Sequence, residues 1–153
     1  DQLSVNPFKE NERLYPLDFG FTYNAPQDDI VSILKTLPIE FIMVSSEKNL
    51  NAEQAVTENY VYVDWGTPFS EAHDKYFIGI PPPLMRIDVG RIAKSFIRRK
   101  GGTAYLPERM VKRDIEIERL YRVDDAPKIK RNAYIIYNKQ NKRCDSLAKI
   151  MNP

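Results

Sequence analysis

The apolar positions of the chain fall into short blocks whose period changes several times, and the period separates helix from strand. The sharpest block is Asp88 to Lys100, where Val89, Ile92, Ala93, Phe96 and Ile97 recur at the i, i+3, i+4, i+7, i+8 spacing of one helix face. Asp88 is its cap candidate, and Arg91, Lys94, Arg98 and Arg99 fill the opposite face. Gly101 takes the C-terminal position, after a last turn whose positive charges suit the helix dipole. A second helix is expected over 68–77, because Thr67 offers a hydroxyl cap and Pro68 follows where no backbone donor is needed. Helical turns are expected at 51–54 and 108–111, and a helical turn or loop at 27–29. A closing helix is expected over 145–151, with Leu147, Ala148 and Ile150 inward.

Seven blocks read as strands. Residues 17–23 are short and aromatic-rich and close at Asn24, Ala25 and Pro26. Residues 39–44 are continuously apolar apart from Glu40, the pattern of a strand covered on both faces. Residues 60–65 stop at Gly66; 84–87 follow the helix-breaking Pro81–Pro83; 103–107 leave the Gly101-Gly102 turn; 117–123 and 133–137 complete the set. Residues 1–16 are polar and without period. Strands alternating with helices imply an α/β architecture with mostly parallel sheets. Two lobes are expected: a partial first lobe over 1–45, a second over 46–123, and a return to the first over 124–153.

Composition narrows the classes. At 42% hydrophobic and 29% charged, the 153 residues have a globular rather than a disordered balance. No apolar run approaches the roughly 20 residues of a membrane span and no secretory leader opens the chain, so no membrane partner is expected and the cytoplasm is the expected compartment. A charge of +2 is too balanced to hold DNA by itself. One cysteine, Cys144, excludes an internal disulfide, and with His73 as the only histidine a Cys/His zinc site cannot be assembled. No nucleophile-elbow, phosphate-loop, dinucleotide or metalloprotease motif occurs. No catalytic residue, metal site or cofactor is therefore expected. Asp28-Asp29 and Asp124-Asp125 sit in turn-like contexts, His73 reads as structural, and Cys144 as incidental.

Taken in order, four segments resemble the effector domain of LysR-type transcription regulators. They are Leu17-Asp18-Phe19-Gly20-Phe21; Phe41-Ile42-Met43-Val44-Ser45; Arg91 to Pro107 with its glycine turn and closing Leu106-Pro107; and Tyr134-Ile135-Ile136-Tyr137 before a terminal helix. The stretch Tyr62-Val63-Asp64-Trp65-Gly66-Thr67 resembles the branch that includes regulators of flagellar genes. The resemblance implies a bilobed fold like that of periplasmic solute-binding proteins. It also implies a small-molecule effector between the lobes, a homodimer or homotetramer, and DNA contact through an N-terminal helix-turn-helix. The family places two strand-and-helix units before the Leu-Asp strand, and here sixteen irregular residues stand there, so the first lobe is expected to be incomplete. A solute-binding protein of a transport system is the alternative on the same fold; a small-molecule enzyme has no acid, base and nucleophile to support it.

An anionic effector would be held by amides and hydroxyls at strand ends and helix starts. Three groups qualify: Thr22, Tyr23 and Asn24 at the end of the first strand; Gly66 and Thr67 at the start of the second-lobe helix; and Gly102 and Thr103 after the glycine turn, while Trp65, after Asp64, is a candidate to stack on a ligand. Ordinary capping, turn and core packing account for the same residues without a ligand.

Overall fold

The computed structural model describes residues 19–151. Within them, seven strands and five helices follow in the order β1 (Phe19–Thr22), β2 (Val31–Ser45), α1 (Ala52–Thr57), β3 (Val61–Val63), α2 (Thr67–Tyr76), β4 (Met85–Ile87), α3 (Gly90–Lys100), β5 (Thr103–Pro107), α4 (Glu108–Glu116), β6 (Tyr121–Arg122), β7 (Ile129–Asn138) and α5 (Lys142–Met151). Among the described residues the chain forms two compact units, one being Ile39–Arg131 and the other residues 19–38 together with 132–151. Both boundaries fall inside strands, β2 and β7, so each of these long strands contributes to both units. Pro38, exposed within β2, offers no ladder donor at that point.

The Ile39–Arg131 unit is built on the strand the sequence marks as continuously apolar. Phe41, Ile42, Met43 and Val44 are all almost fully buried. They pair antiparallel with β5, Phe41 opposite Pro107 and Ser45 opposite Thr103, while Val44 and Ser45 also pair antiparallel with β6. β3 and β4 are parallel, Val61 opposite Met85, and a parallel bridge joins Tyr60 to Thr103. The α/β class holds, but the sheets are mixed rather than mostly parallel. Parallel neighbours need a crossover to reverse the chain, whereas β2 enters from the other unit and meets β5 and β6 running the opposite way. α1 begins with a capping box: Asn51 Oδ1 accepts from the Gln54 N–H at 2.8 Å and Gln54 Oε1 from the Asn51 N–H at 3.1 Å. Each large side chain buried here, Phe41, Phe69, Ile97 and Leu106 among them, contributes about 1.5–3 kcal/mol of burial free energy.

Several elements depart from the expected bounds. α3 starts at Gly90 with Val89 as its cap, so Asp88 is not the capping residue. Packing sets this start: a β-carbon on Gly90 would lie 2.4 Å from Cη2 of Trp65, and the bare backbone lets the helix seat against that ring. Of the predicted stripe, Ala93 and Ile97 are buried and Phe96 half-buried, while Val89 and Ile92 are exposed. α4 runs two turns, and the strand expected over 117–123 shrinks to Tyr121–Arg122. Glu118 adopts φ +55°, and the N–H groups of Arg119 and Leu120 turn back onto the Asp114 carbonyl at 2.8 and 3.2 Å.

In the second unit β7 lies between β1 and β2, with Phe19 opposite Tyr137 and Thr22 opposite Tyr134. Val31 and Ile136 form its small core, joined by Ile30 and Tyr134. Asp28 opens β2 with a turn in which its Oδ1 accepts from the Ile30 N–H at 3.1 Å. α5 begins at Lys142, earlier than expected, because Asn141 caps it through Oδ1, which accepts from the Arg143 N–H at 3.0 Å. The small residues Cys144 and Ala148 therefore face inward, and Leu147 and Ile150, expected inward, are exposed. Among the described residues no helix is long and apolar enough to cross a membrane.

Candidate functional site

Where β3 ends, the chain makes a tight entry into α2. The Asp64 N–H donates to the Ile87 carbonyl at 2.8 Å, and Asp64 Oδ1 accepts from the Gly66 N–H at 2.8 Å. Gly66, at φ 87° and ψ 173°, caps α2 with its carbonyl, which accepts from the Phe69 and Ser70 N–H groups at 3.1 Å each. The cap is thus Gly66 rather than Thr67: the turn needs a backbone conformation open almost only to glycine, which pushes Thr67 into the first helical position. No side chain caps this end, and strand termini in parallel pairs followed by helix starts are where α/β proteins hold ligands.

Arg131 on β7 faces this turn. Its side chain shares the buried face of the strand with Ile129 and Ala133, alternating with exposed Lys130 and Asn132. A β-carbon on Gly66 would lie 2.9 Å from Arg131 Nη1 and 3.3 Å from Nη2. Arg131, only 6% exposed as a residue, thus sets its guanidinium against the amino end of a helix, two positive contributions at one point that favour a negatively charged group. Sequence reasoning passed over Arg131. The signal was its place in the period-two pattern Ile129, Arg131, Ala133, where a charged residue stands at a buried position.

The other sequence-derived candidates are placed as follows. Trp65 is buried, its Nε1–H donates to the Tyr105 carbonyl at 2.9 Å, and its ring lies 4.9 Å from that of Phe41, so it packs the interior. Gly102 and Thr103 lie at the start of β5, beside Tyr60 at the start of β3, whereas Gly66 and Thr67 follow its end. The Gly102 N–H donates to Ser46 Oγ at 2.9 Å, and the Thr103 hydroxyl donates to the Ala55 carbonyl. Thr22 and Asn24 close β1 in a local turn in which the Asn24 N–H donates to Thr22 Oγ1 at 3.1 Å, and Tyr23 stacks edge-on to Phe21. The structure therefore brings Gly66, Thr67 and Arg131 together within one unit and leaves Gly102 and Thr103 at the opposite strand end.

His73 belongs to the core of α2. It is 2% exposed and packed among Tyr60, Tyr62, Phe69, Phe77 and Tyr105. Nδ1 lies 3.3 Å from Asp74 Oδ1 and Nε2 lies 2.8 Å from the Tyr60 hydroxyl. With the proton on Nδ1 both contacts are satisfied, Asp74 accepting from Nδ1 and the phenol donating to Nε2. Burial holds the imidazole below its ordinary value, against the opposing pull of Asp74 and with a smaller push from Arg86. Burial likewise drives the Tyr60 phenol well above its ordinary value, so it stays a donor. Cys144 is buried in α5, and among the described residues no group of three or more His, Cys, Asp or Glu side chains is placed to hold a metal ion.

No protein-family model matches the sequence, and no curated protein matches it. Solved structures do. The full-length HypT of Salmonella typhimurium, described as a hypochlorite-specific LysR-type transcriptional regulator, superposes with a TM-score of 0.73 at 15% identity over 97% of this chain. The chain spans 54% of that protein's length. The regulatory domain of the same protein gives 0.71 at 14% identity, over 97% of this chain and 75% of the domain. The regulatory domain of CrgA, a LysR-type regulator of Neisseria meningitidis, gives 0.67 at 13% identity over 99% of this chain and 79% of its own. The fold is that of LysR-type regulatory domains, the α/β fold of the periplasmic-binding-protein kind that the four ordered segments imply.

Proposed function

We propose that this chain is the effector-sensing part of a LysR-type transcription regulator, which contacts DNA through a helix-turn-helix outside these 153 residues. The observation that carries the reading is the match of nearly the whole chain to the regulatory domains of such proteins, at a TM-score of 0.73 for HypT. The two compact units are then the two lobes of the domain. The effector is a small anion or a molecule with an anionic group, held by the Gly66 turn, the Thr67 hydroxyl and the Arg131 guanidinium. The protein works as a homodimer or homotetramer, and exposed Val89 and Ile92 with half-buried Phe96 on α3 supply an apolar face for self-association.

The test is calorimetric titration of the chain with a panel of halides, oxyanions and short carboxylates. Saturable binding of at least one, weakened in Thr67→Ala and in Arg131→Lys while both variants keep the parent's thermal unfolding, supports the reading. Binding by none of the panel, or binding indifferent to both substitutions, overturns the assignment of this site.

A further inference from the structure

A concave site lies between α3 and the turn that follows α4. Ser95, Arg98 and Arg99 share one face of α3 at the i, i+3, i+4 spacing, and Arg119 comes to meet them from the turn. Together they line a hollow of about 350 Å³. The cationic last turn of α3 has an ordinary reason to exist, since it complements the helix dipole, but that does not account for Arg119.

The geometry is built rather than incidental. Asp114, 6% exposed, receives Lys94 Nζ at 3.1 Å on one oxygen and Arg98 Nε at 3.4 Å on the other, which fixes Arg98 at the edge of the hollow. The carbonyl of the same residue holds the Arg119 N–H at 2.8 Å, and fully buried Leu120 anchors the next position. Neighbouring acids are already committed: Asp114 to Lys94 and Arg98, and Glu118 to Lys48 at 3.5 Å. Among the described residues no carboxylate pairs with Arg99 or Arg119.

We propose that this hollow binds the phosphate group of a small phosphorylated molecule. Planar guanidinium forks match tetrahedral oxyanions in pairs of hydrogen bonds, and several around one concavity favour a divalent anion over chloride. The Ser95 hydroxyl adds a neutral donor. A concave spot rather than a stripe favours a compact phosphate over a nucleic-acid backbone, which tracks an extended basic surface. The site lies apart from the Gly66 turn, so it stands or falls independently of the effector assignment.

The experiment titrates the chain with inorganic phosphate and with pyrophosphate in physiological chloride, following the arginine side-chain N–H signals by NMR. Saturable binding with shifts at Arg98, Arg99 and Arg119 is expected. Arg99→Gln and Arg119→Gln, both at exposed positions, should each weaken it about tenfold, whereas Arg91→Gln, exposed on the same helix but outside the hollow, should leave it unchanged. No saturable binding, equal weakening by Arg91→Gln, or binding of duplex DNA without binding of either phosphate overturns the proposal.

Discussion

The guanidinium of Arg131 occupies the space that a side chain at residue 66 would need: its Nη1 is 2.9 Å from where the β-carbon of Gly66 would stand. One glycine thereby serves two ends. Its backbone makes the turn from β3 into α2, and its missing side chain lets a buried cation reach the amino end of that helix. Substitutions at residue 66 consequently report on the turn and on the site at once.

Gly66→Ala should destabilise the domain by about 1–3 kcal/mol, since φ 87° with ψ 173° is strained for any side chain, and should move Arg131 as well. Gly79→Ala separates the two effects. Residue 79 has φ +69° but open space around it, so its cost should be near ~1 kcal/mol, that of the backbone alone. Chemical denaturation of both variants measures the difference, and equal losses would mean that Arg131 yields freely.

Much of the fold was legible because a buried face writes itself as a period. Phe41 to Val44 announced a covered strand, and Gly101, with φ 83°, ends α3 where the positive last turn foretold. What misled was local chemistry that the backbone overruled. Thr67 and Asp88 have capping side chains, yet Gly66 and Val89 take those positions because the turn geometry and the Trp65 ring decide where each helix begins. Ile117 to Val123 has strand composition, but Asp114 captures the following amides and curls most of it. Arg131 was hidden for another reason: its importance depends on Gly66, sixty-five residues away in sequence, and no local pattern joins them.

The contact between Gly90 and Trp65 gives a test of core packing. Gly90→Ala drives a methyl into the indole and should cost about 1–3 kcal/mol. In a Trp65→Phe background the clashing atoms are gone, so the same substitution should cost less. A double-mutant cycle by urea denaturation measures the coupling, and strict additivity would contradict the contact.

His73 makes stability depend on pH in a predictable direction. Because burial lowers its folded value below the ordinary 6.5, the unfolded chain binds more protons than the folded chain between those two values. Its contribution is fully present above about pH 6.5 and is lost as pH falls through that value toward the depressed one. Unfolding free energies measured from about pH 8 to about pH 5 should decline over that lower range, and His73→Gln should remove that part of the slope while lowering stability overall.

Ile92, 57% exposed on α3, should matter to assembly and not to folding. Ile92→Glu is expected to leave the thermal transition almost unchanged and to shift sedimentation toward a monomer. An unchanged sedimentation profile would remove α3 from the association face.

The most direct test of the regulator assignment is the reading frame that leads into the codon for Asp1. A LysR-type regulator predicts an in-frame helix-turn-helix upstream, followed by two strand-and-helix units that complete the first lobe. A start codon or a secretion signal immediately before Asp1 would contradict it.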